Sequence, residues 1–178
     1  EPKHAPITCL AVTSDGQTVI EASQAAIRTR ETASLKVTGE WPPQSDMIHD
    51  LSLSPDEKSL IVVGGNPGEF AVVTLYSWPD MKVTWRQQFA EDVVYAASFS
   101  PDGESIALAA HDQNVYLLKA TDGETESILT GHSKPVIDAT FLNEELLVSC
   151  SRDQTIRVAA GAPDAKFLNV TETYMKEL

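Results

Sequence analysis

The chain has 178 residues, 42% of them hydrophobic and 22% charged, which suffices for one ordinary domain with a buried core. Its 26 acidic and 13 basic residues give a formal net charge of −13. A protein with this net charge repels nucleic acid and anionic membranes unless its basic residues cluster. The basic residues are scattered along the sequence. We therefore expect neither nucleic acid nor a membrane as a partner.

The sequence carries no recognisable signal for export or membrane insertion. No apolar run approaches the roughly 20 residues that span a bilayer, and the first six residues contain no apolar signal-peptide core. We expect a soluble chain of unknown compartment; the missing initiator Met leaves processing or truncation open. Cys9 and Cys150 are too few for a disulfide framework and lie in strand-like runs, where small buried hydrophobes are expected.

A repeated segment is the main organising feature of the sequence. Its copies, the fourth of them degenerate, cover residues 11–19, 51–60, 97–106 and 140–146. The equivalent apolar residues in these copies are Val12, Leu53, Phe99 and Phe141. They are spaced by 41, 46 and 42 residues, which is the period of a four-stranded propeller blade.

Each repeat places turn chemistry between strand-like runs. In residues 94–131 an alternating run leads into Ser-Pro-Asp-Gly, where proline presets φ and Asp and Gly accept the next corners. Three more β-branched and apolar runs follow, and the turns between them leave no room for ten-residue helices. The sequence predicts an all-β chain of four four-stranded antiparallel sheets. The expected blades are 5–43, 44–89, 90–131 and 132–178, with inner strands that begin near Ile7, Ile48, Val94 and Val136.

The third and fourth repeats resemble the WD40-repeat family. Residues 129–136, Leu-Thr-Gly-His-Ser-Lys-Pro-Val, are similar to the Gly-His signature that opens such a repeat. Residues 147–158 resemble the stretch S-x-S-x-D-x-T-I-R-V that crosses its second and third strands. The resemblance covers nearly the whole chain, is weaker in repeats one and two, and implies a WD40-like β-propeller.

The resemblance also implies a structural hydrogen-bond network. Its matching positions in the fourth repeat are His132, Ser149 and Asp153, and Asp112 keeps the turn position in the third. The family's strand-three Trp is replaced by Ala159, and no repeat retains a Trp-Asp pair. The network is therefore expected to be incomplete.

Four blades are fewer than the seven or eight that this family usually has. Two copies can pair blade one with blade four into an eight-bladed, two-fold ring; the chain can be a fragment of a longer propeller; or four blades can close alone. We expect the homodimer through blades one and four. Because a pair doubles the charge of −13, acidic groups are expected to avoid those edges.

The sequence contains no motif for catalysis, cofactor binding or metal binding. It lacks HExxH, DxDxDG, paired CxxC and GxSxG patterns, and glycine-rich residues 64–68 lack the Lys-Ser/Thr of a phosphate loop and predict a wide hairpin. No cofactor or metal is expected. His49, beside Asp50, is interpreted as a hydrogen-bonded structural residue.

Recognition by loops is the remaining functional expectation. In propellers, the loops from outer to next inner strand and from second to third strand line one face, here called the loop face. Its residues are Trp41, Gln44, Met47, Asn66, Glu69, Phe70, Glu91, Asp92, His111, Lys134 and Arg152. Trp41, in a proline-rich loop, is either an interface anchor or a cap on the core.

The sequence therefore predicts a non-catalytic WD40-like scaffold that binds a protein or peptide, an inference that rests on analogy of fold. One alternative is a propeller enzyme of the hydrolase or lactonase kind with a metal in its channel. Another is a structural segment of a longer propeller or multidomain protein.

Overall fold

The computed structural model describes residues 5–43, 47–90, 93–160 and 167–172. Strands in these ranges are β1 (Ile7–Val12), β2 (Thr18–Ser23), β3 (Ile27–Glu31), β4 (Val37–Trp41), β5 (Ile48–Leu53), β6 (Ser59–Asn66), β7 (Phe70–Ser77), β8 (Val83–Ala90), β9 (Val94–Phe99), β10 (Ser105–Ala110), β11 (Val115–Lys119), β12 (Thr125–Leu129), β13 (Val136–Phe141), β14 (Leu146–Ser151), β15 (Thr155–Ala160) and β16 (Phe167–Glu172).

The strands form four antiparallel four-stranded sheets, each with its strands in chain order. The sheets are β1–β4, β5–β8, β9–β12 and β13–β16, called blades one to four below. This arrangement confirms the predicted fold class, and the four predicted inner-strand starts coincide with the first residues of β1, β5, β9 and β13. Nowhere in the described ranges is there a helix long and apolar enough to cross a membrane.

The Ser-Pro-Asp turns close the first hairpins of blades two and three as their residue types predict. In blade three the Ser100 hydroxyl donates to Asp102 Oδ1 at 2.5 Å and accepts the Ser105 N–H at 2.9 Å. Gly103 then takes a φ of +76°, a left-handed conformation that suits glycine. Ser54 and Asp56 repeat the hydroxyl–carboxylate bond in blade two at 2.7 Å. The turn chemistry thus fixes the register of these hairpins.

Neighbouring blades bury apolar clusters between their sheets. Members of the cluster between blades one and two include Ile20, Ile27, Leu51, Leu60 and Tyr76. Between blades two and three they include Ile61, Val73, Phe99, Ile106 and Leu108. Between blades three and four they include Ala107, Leu117, Val136, Ala139 and Leu147. At each junction the inner strand of the following blade packs on strands of the preceding blade.

Two cross-blade hydrogen bonds fix adjacent inner strands against each other. The Asp50 carboxylate on β5 accepts the Ala97 N–H of β9 at 3.0 Å. The Ser98 hydroxyl on β9 donates to the Ala139 carbonyl of β13 at 2.9 Å. Because buried polar groups are costly when unpaired, these bonds specify the order and register of the inner strands.

Blade four leaves one apolar sheet face outside the clusters. Leu147 and Ser149 of β14 are buried toward blade three, so the alternating Val148 and Cys150 point to the other side. Ile156 of β15 lies beside them and is 48% exposed. These side chains line a shallow concavity, the place on this blade where a following inner strand packs at the other junctions.

Blade one leaves a different face open. On β1, Leu10 and Val12 are 63% and 48% exposed, whereas Cys9 and Ala11 pack toward blade two. Glu21 on β2 pairs with Leu10 in the strand register. Acidic residues were expected to avoid this edge, so Glu21 departs from that expectation.

Arginines of the same blade neutralise that acidic residue. Arg30 donates two bonds of 2.8 Å to the Glu21 carboxylate. Arg28 pairs with Glu40 at 2.6 Å. The hydrogen bond from Arg30 holds the pKa of Glu21 below its usual value, so the open face of blade one is apolar along β1 and ion-paired farther out.

The fold predicts that Leu108→Ala lowers the free energy of unfolding by about 2–5 kcal/mol, because it leaves a cavity in the cluster between blades two and three. Ile128→Ala, at a residue that is 48% exposed, is the matched control and is expected to cost less than about 1 kcal/mol. Urea unfolding followed by tryptophan fluorescence measures both. Equal losses in the two variants would contradict the assignment of this cluster.

Candidate functional site

Three equivalent backbone bonds position the loop face. In blades two, three and four, a residue at the end of the second strand or just after it donates its N–H to the carbonyl just before the inner strand: Gly65 to Met47, His111 to Val93, and Arg152 to Pro135, at 3.0–3.1 Å. These bonds bring the turn between second and third strands against the loop that enters the blade. His111 and Arg152 therefore occupy equivalent places on neighbouring blades.

The described loop-face residues differ in exposure. Glu69, Lys134 and Arg152 are exposed, and the half-buried ones are Trp41, Met47, Asn66, Phe70 and His111. Asn66 donates to Glu69 across the β6–β7 turn at 3.1 Å, in the hairpin predicted for the glycine-rich segment. Gln44, Glu91 and Asp92 lie outside the described residues.

Trp41 packs against the cluster between blades one and two. Its ring lies over Gly39, where an added Cβ would come within 2.5 Å of Trp41 Cη2. This packing favours the interpretation of Trp41 as a cap on the core and not as an anchor for a partner.

Tyr95, on β9, joins three residues at this end of the blades. Its hydroxyl is hydrogen-bonded to His111 Nδ1 at 2.8 Å. Arg152 Cζ lies 5.7 Å from the centroid of its ring, within the range of a cation–π contact. The His49 ring meets it edge-on at 5.8 Å. We call Tyr95, His49, His111 and Arg152 the Tyr95 cluster.

Sequence reasoning missed Tyr95 because it counted loop residues only. Tyr95 is the second residue of an inner strand, as are His49 on β5 and Ile137 on β13. A side chain at that position lies next to the loops, and this position in the repeat is the signal that identifies it.

His49 is partly desolvated within the cluster. Burial lowers the pKa of its imidazole, and a hydrogen bond with the Gly65 backbone only partly offsets this. Its Nε2 is buried without a hydrogen-bond partner among the described residues. The ring is therefore neutral near neutral pH, which agrees with a structural role.

A cavity of about 140 Å³ opens at the seam between blades two and three. Its lining, here called the seam pocket, consists of Ala71, Phe89, Val93, Val94, Ala110, His111, Asp112 and Tyr116. The Phe89 and Tyr116 rings lie 5.5 Å apart. The floor is thus mainly apolar, and the polar groups His111 and Asp112 belong to the turn between β10 and β11.

The Asp112 carboxylate is hydrogen-bonded within its own blade. It accepts hydrogen bonds from the Tyr116 hydroxyl and from the Asn114 side chain, the latter at 3.0 Å. Burial, and then the bond to Asp112, raises the pKa of Tyr116 to about 12. The hydroxyl therefore stays protonated and donates to the carboxylate at neutral pH.

Asp50 and Asp138 occupy equivalent positions, each as the third residue of its inner strand. Burial raises the pKa of Asp50, and the nearby charge of Asp138 adds to the rise. Within the described ranges, no group of three or more His, Cys, Asp or Glu side chains is arranged to hold a metal.

His132, Ser149 and Asp153 meet in a buried network in blade four. His132 Nδ1 lies 2.8 Å from Asp153 Oδ2, and its Nε2 lies 3.0 Å from the Ser149 hydroxyl. Thr155, which the family pattern did not single out, donates its hydroxyl to Asp153 Oδ1 at 2.7 Å. The network joins the residues before β13 to the turn between β14 and β15, and so supports the turn that carries Arg152.

Asp112 lies apart from this network. Its turn matches that of Asp153, with Gln113 and Gln154 at φ of +76° and +70°. Four residues before Val136 stands His132, whereas four residues before Val94 stands Ala90. Lacking the histidine, the Asp112 carboxylate pairs with Tyr116 instead.

Burial by itself would raise the pKa of the Asp153 carboxyl, but hydrogen bonds outweigh it. Thr155 and His132 donate from side chains, and Ser133 and Thr155 from backbone N–H groups. The pKa of Asp153 is therefore held well below its usual value. A carboxyl with a lowered pKa in the fold stabilises it above the unfolded pKa, and this contribution is lost as the pH falls.

We predict that Asp153→Asn lowers the free energy of unfolding by about 1–3 kcal/mol near neutral pH, since it removes charge-assisted bonds to buried groups. The difference from wild type should shrink as the pH falls below about 4, where the unfolded chain binds the proton. Asp112→Asn, in the matched turn of blade three, is the control with the smaller expected loss. Urea titrations over a pH series measure both variants, and a pH-independent difference would contradict the role of the charge.

Comparisons with known proteins agree with this geometry. The family model for the WD domain, G-beta repeat, matches residues 123–158. The chain is 29% identical over 172 residues to the WD repeat-containing protein WDS homolog of Arabidopsis thaliana, covering 90% of this chain and 31% of that protein. It is 33% identical over 69 residues to protein tipD of Dictyostelium discoideum, covering 39% and 11%.

A third relative is the U5 small nuclear ribonucleoprotein 40 kDa protein of Dictyostelium discoideum, 38% identical over 68 residues, or 38% of this chain and 19% of that protein. The chain spans less than a third of the length of each of these relatives. The matched repeat contains the whole His132 network, and the longest alignment runs through nearly all four sheets. The matched repeat and the relative named as a WD repeat-containing protein support the assignment of this chain to the WD40-repeat family.

Proposed function

We propose that the chain is a non-catalytic scaffold whose loop face binds a protein or peptide. The relatives support a role in protein interaction in general terms. The observation that carries the proposal is the position of the seam pocket beside the Tyr95 cluster. A largely apolar cavity lined by His111 and Tyr116, with Tyr95 and Arg152 beside it, has the residue types found in protein-binding hot spots.

A protein partner suits the charge of the chain better than a nucleic acid does. With a net charge of −13, the chain repels phosphate backbones at long range. For a channel enzyme, Asp50 and Asp138 are the acidic candidates, but Asp50 accepts a backbone N–H from the neighbouring blade. A carboxylate used in this way supports a structural role.

The interaction role is tested with peptides selected from a random dodecapeptide display library on the purified protein. Hydrogen exchange with the selected peptides is expected to show protection in the β10–β11 and β14–β15 turns and in the β6–β7 hairpin. Failure to select binders, or protection confined to the Ser-Pro-Asp turns at the other end of the blades, would contradict the proposal. Stoichiometric calcium or zinc in the same preparation would favour the enzyme alternative.

We also propose that the four predicted blade ranges form half of a two-fold, eight-bladed ring. At each junction within the chain, an inner strand lies on the preceding blade. Among the described residues no blade packs on the side of β1 that exposes Leu10 and Val12, while blade four presents Val148, Cys150 and Ile156 where such a strand packs. Laying β1 of a second copy on this face repeats the packing of the other junctions.

The proposed ring predicts a solution mass of twice 19.3 kDa by light scattering. Leu10→Glu places a charge in the proposed junction without touching the core, since Leu10 is 63% exposed, and should shift the mass toward one copy. Ile128→Glu, on the outer strand of blade three, makes the same kind of change away from the junction and should leave the mass unchanged. A stable wild-type protein with the mass of one copy would overturn the ring.

A further inference from the structure

The seam pocket and the Tyr95 cluster are two parts of one surface, because His111 belongs to both. Its ring lines the pocket, and its Nδ1 is hydrogen-bonded to the Tyr95 hydroxyl. Arg152 lies on the same tyrosine ring. The ring contacts of 5.7 and 5.9 Å put Arg152 at most about 12 Å from the edge of the pocket, which is three or four residues of extended chain.

The pocket itself fits one aliphatic side chain. Its volume of about 140 Å³ is close to that of a cavity of about 150 Å³ known to hold a molecule of benzene. Ala71, Phe89, Val94 and Ala110 supply its apolar surface. Because Asp112 is engaged by Tyr116 and Asn114, the acidic group on the rim does not oppose an apolar occupant.

Two cations lie on the other side of Tyr95. The Ser151 hydroxyl donates to the Lys134 carbonyl at 2.8 Å, and the Arg152 N–H donates to the Pro135 carbonyl at 3.0 Å. These bonds hold Lys134 and Arg152 on adjoining loops, and both residues are exposed. The Tyr95 ring supports the guanidinium from one side and leaves its planar donors to the solvent, an arrangement suited to a carboxylate.

We infer that this surface binds an acidic peptide segment in which an aliphatic side chain fills the seam pocket and a carboxylate three or four residues away pairs with Arg152. Lys134 provides a second cation for a neighbouring acidic residue. The inference rests on the proposed use of the loop face and adds the chemistry of the partner. A chain with 26 acidic residues repels an acidic peptide elsewhere on its surface, so these two cations also select where such a peptide binds.

The probe for the test is the fluorescein-labelled peptide Asp-Asp-Gly-Ser-Leu-Ser-Gly-Asp-Asp, which offers the acidic groups on both sides of the leucine. Fluorescence anisotropy should detect binding to the full chain. Two matched peptides, one with Ser for Leu and one with Asn for every Asp, should each bind at least about tenfold more weakly, because each lacks one of the two anchors. Equal binding of the three peptides would overturn the inference.

On the protein side, Arg152→Glu should weaken the acidic probe by roughly tenfold or more, since attraction becomes repulsion. Lys58→Glu is the matched control: it changes the net charge equally, and Lys58 lies in the turn at the opposite end of blade two with its side chain 81% exposed. The control should bind within about twofold of wild type. Equal weakening in both variants would indicate bulk charge alone and would overturn the inference.

The two proposals fail in distinguishable ways. Library-selected peptides that protect the loop face but bind Arg152→Glu as tightly as wild type would overturn the acidic-segment inference and leave the scaffold role standing. Absence of any binding of the acidic probe at millimolar protein, with such library peptides still bound, would have the same meaning. Both variants change exposed side chains, so circular dichroism should show an unaltered fold.

Discussion

The packing of each inner strand on the preceding blade is the constraint on which the rest of the structure depends. It explains why the successive residues Ala96 and Ala97 of β9 belong to the clusters on its two sides, and why the bonds from Asp50 to Ala97 and from Ser98 to Ala139 join the inner strands. Since all inner strands then run in the same direction, every turn between second and third strands reaches the same end. A shared loop face is therefore a consequence of core packing.

The same constraint accounts for the two unequal ends of the chain. Within the described ranges, blade four presents an apolar face outside the buried clusters, and β1 presents an exposed leucine and an exposed valine on its side away from blade two. On blade one, Glu21 occupies the place that Val62 holds in the blade two core, and Arg30 neutralises it. If β1 alone forms the proposed junction with a second copy, it buries the apolar part of this face. The ion pairs of blade one then lie at the edge of the junction.

Much of the fold follows from local sequence, because its determinants are short-range. Proline, Asp and Gly fix the turns, and alternation fixes the strands, so the inner-strand starts were predictable to the residue. Tyr95 and the seam pocket were not, since they depend on which residues of different blades meet. The pairing of Glu21 with Arg30 connects neighbouring strands of one sheet, but the local sequence does not show that Glu21 is buried there. Thr155 escaped prediction because the family pattern pointed to the missing tryptophan instead.

The proposed covering of blade four by the inner strand of a second copy is tested most directly by the two thiols. Cys9 packs toward blade two, and burial raises its pKa to about 12; Cys150 lies on the open face of blade four. Labelling with iodoacetamide over a range of protein concentrations should show Cys150 becoming protected as copies associate, while Cys9 reacts slowly throughout. A Cys150 that reacts at the same rate at every concentration would contradict the covering of blade four by a second copy.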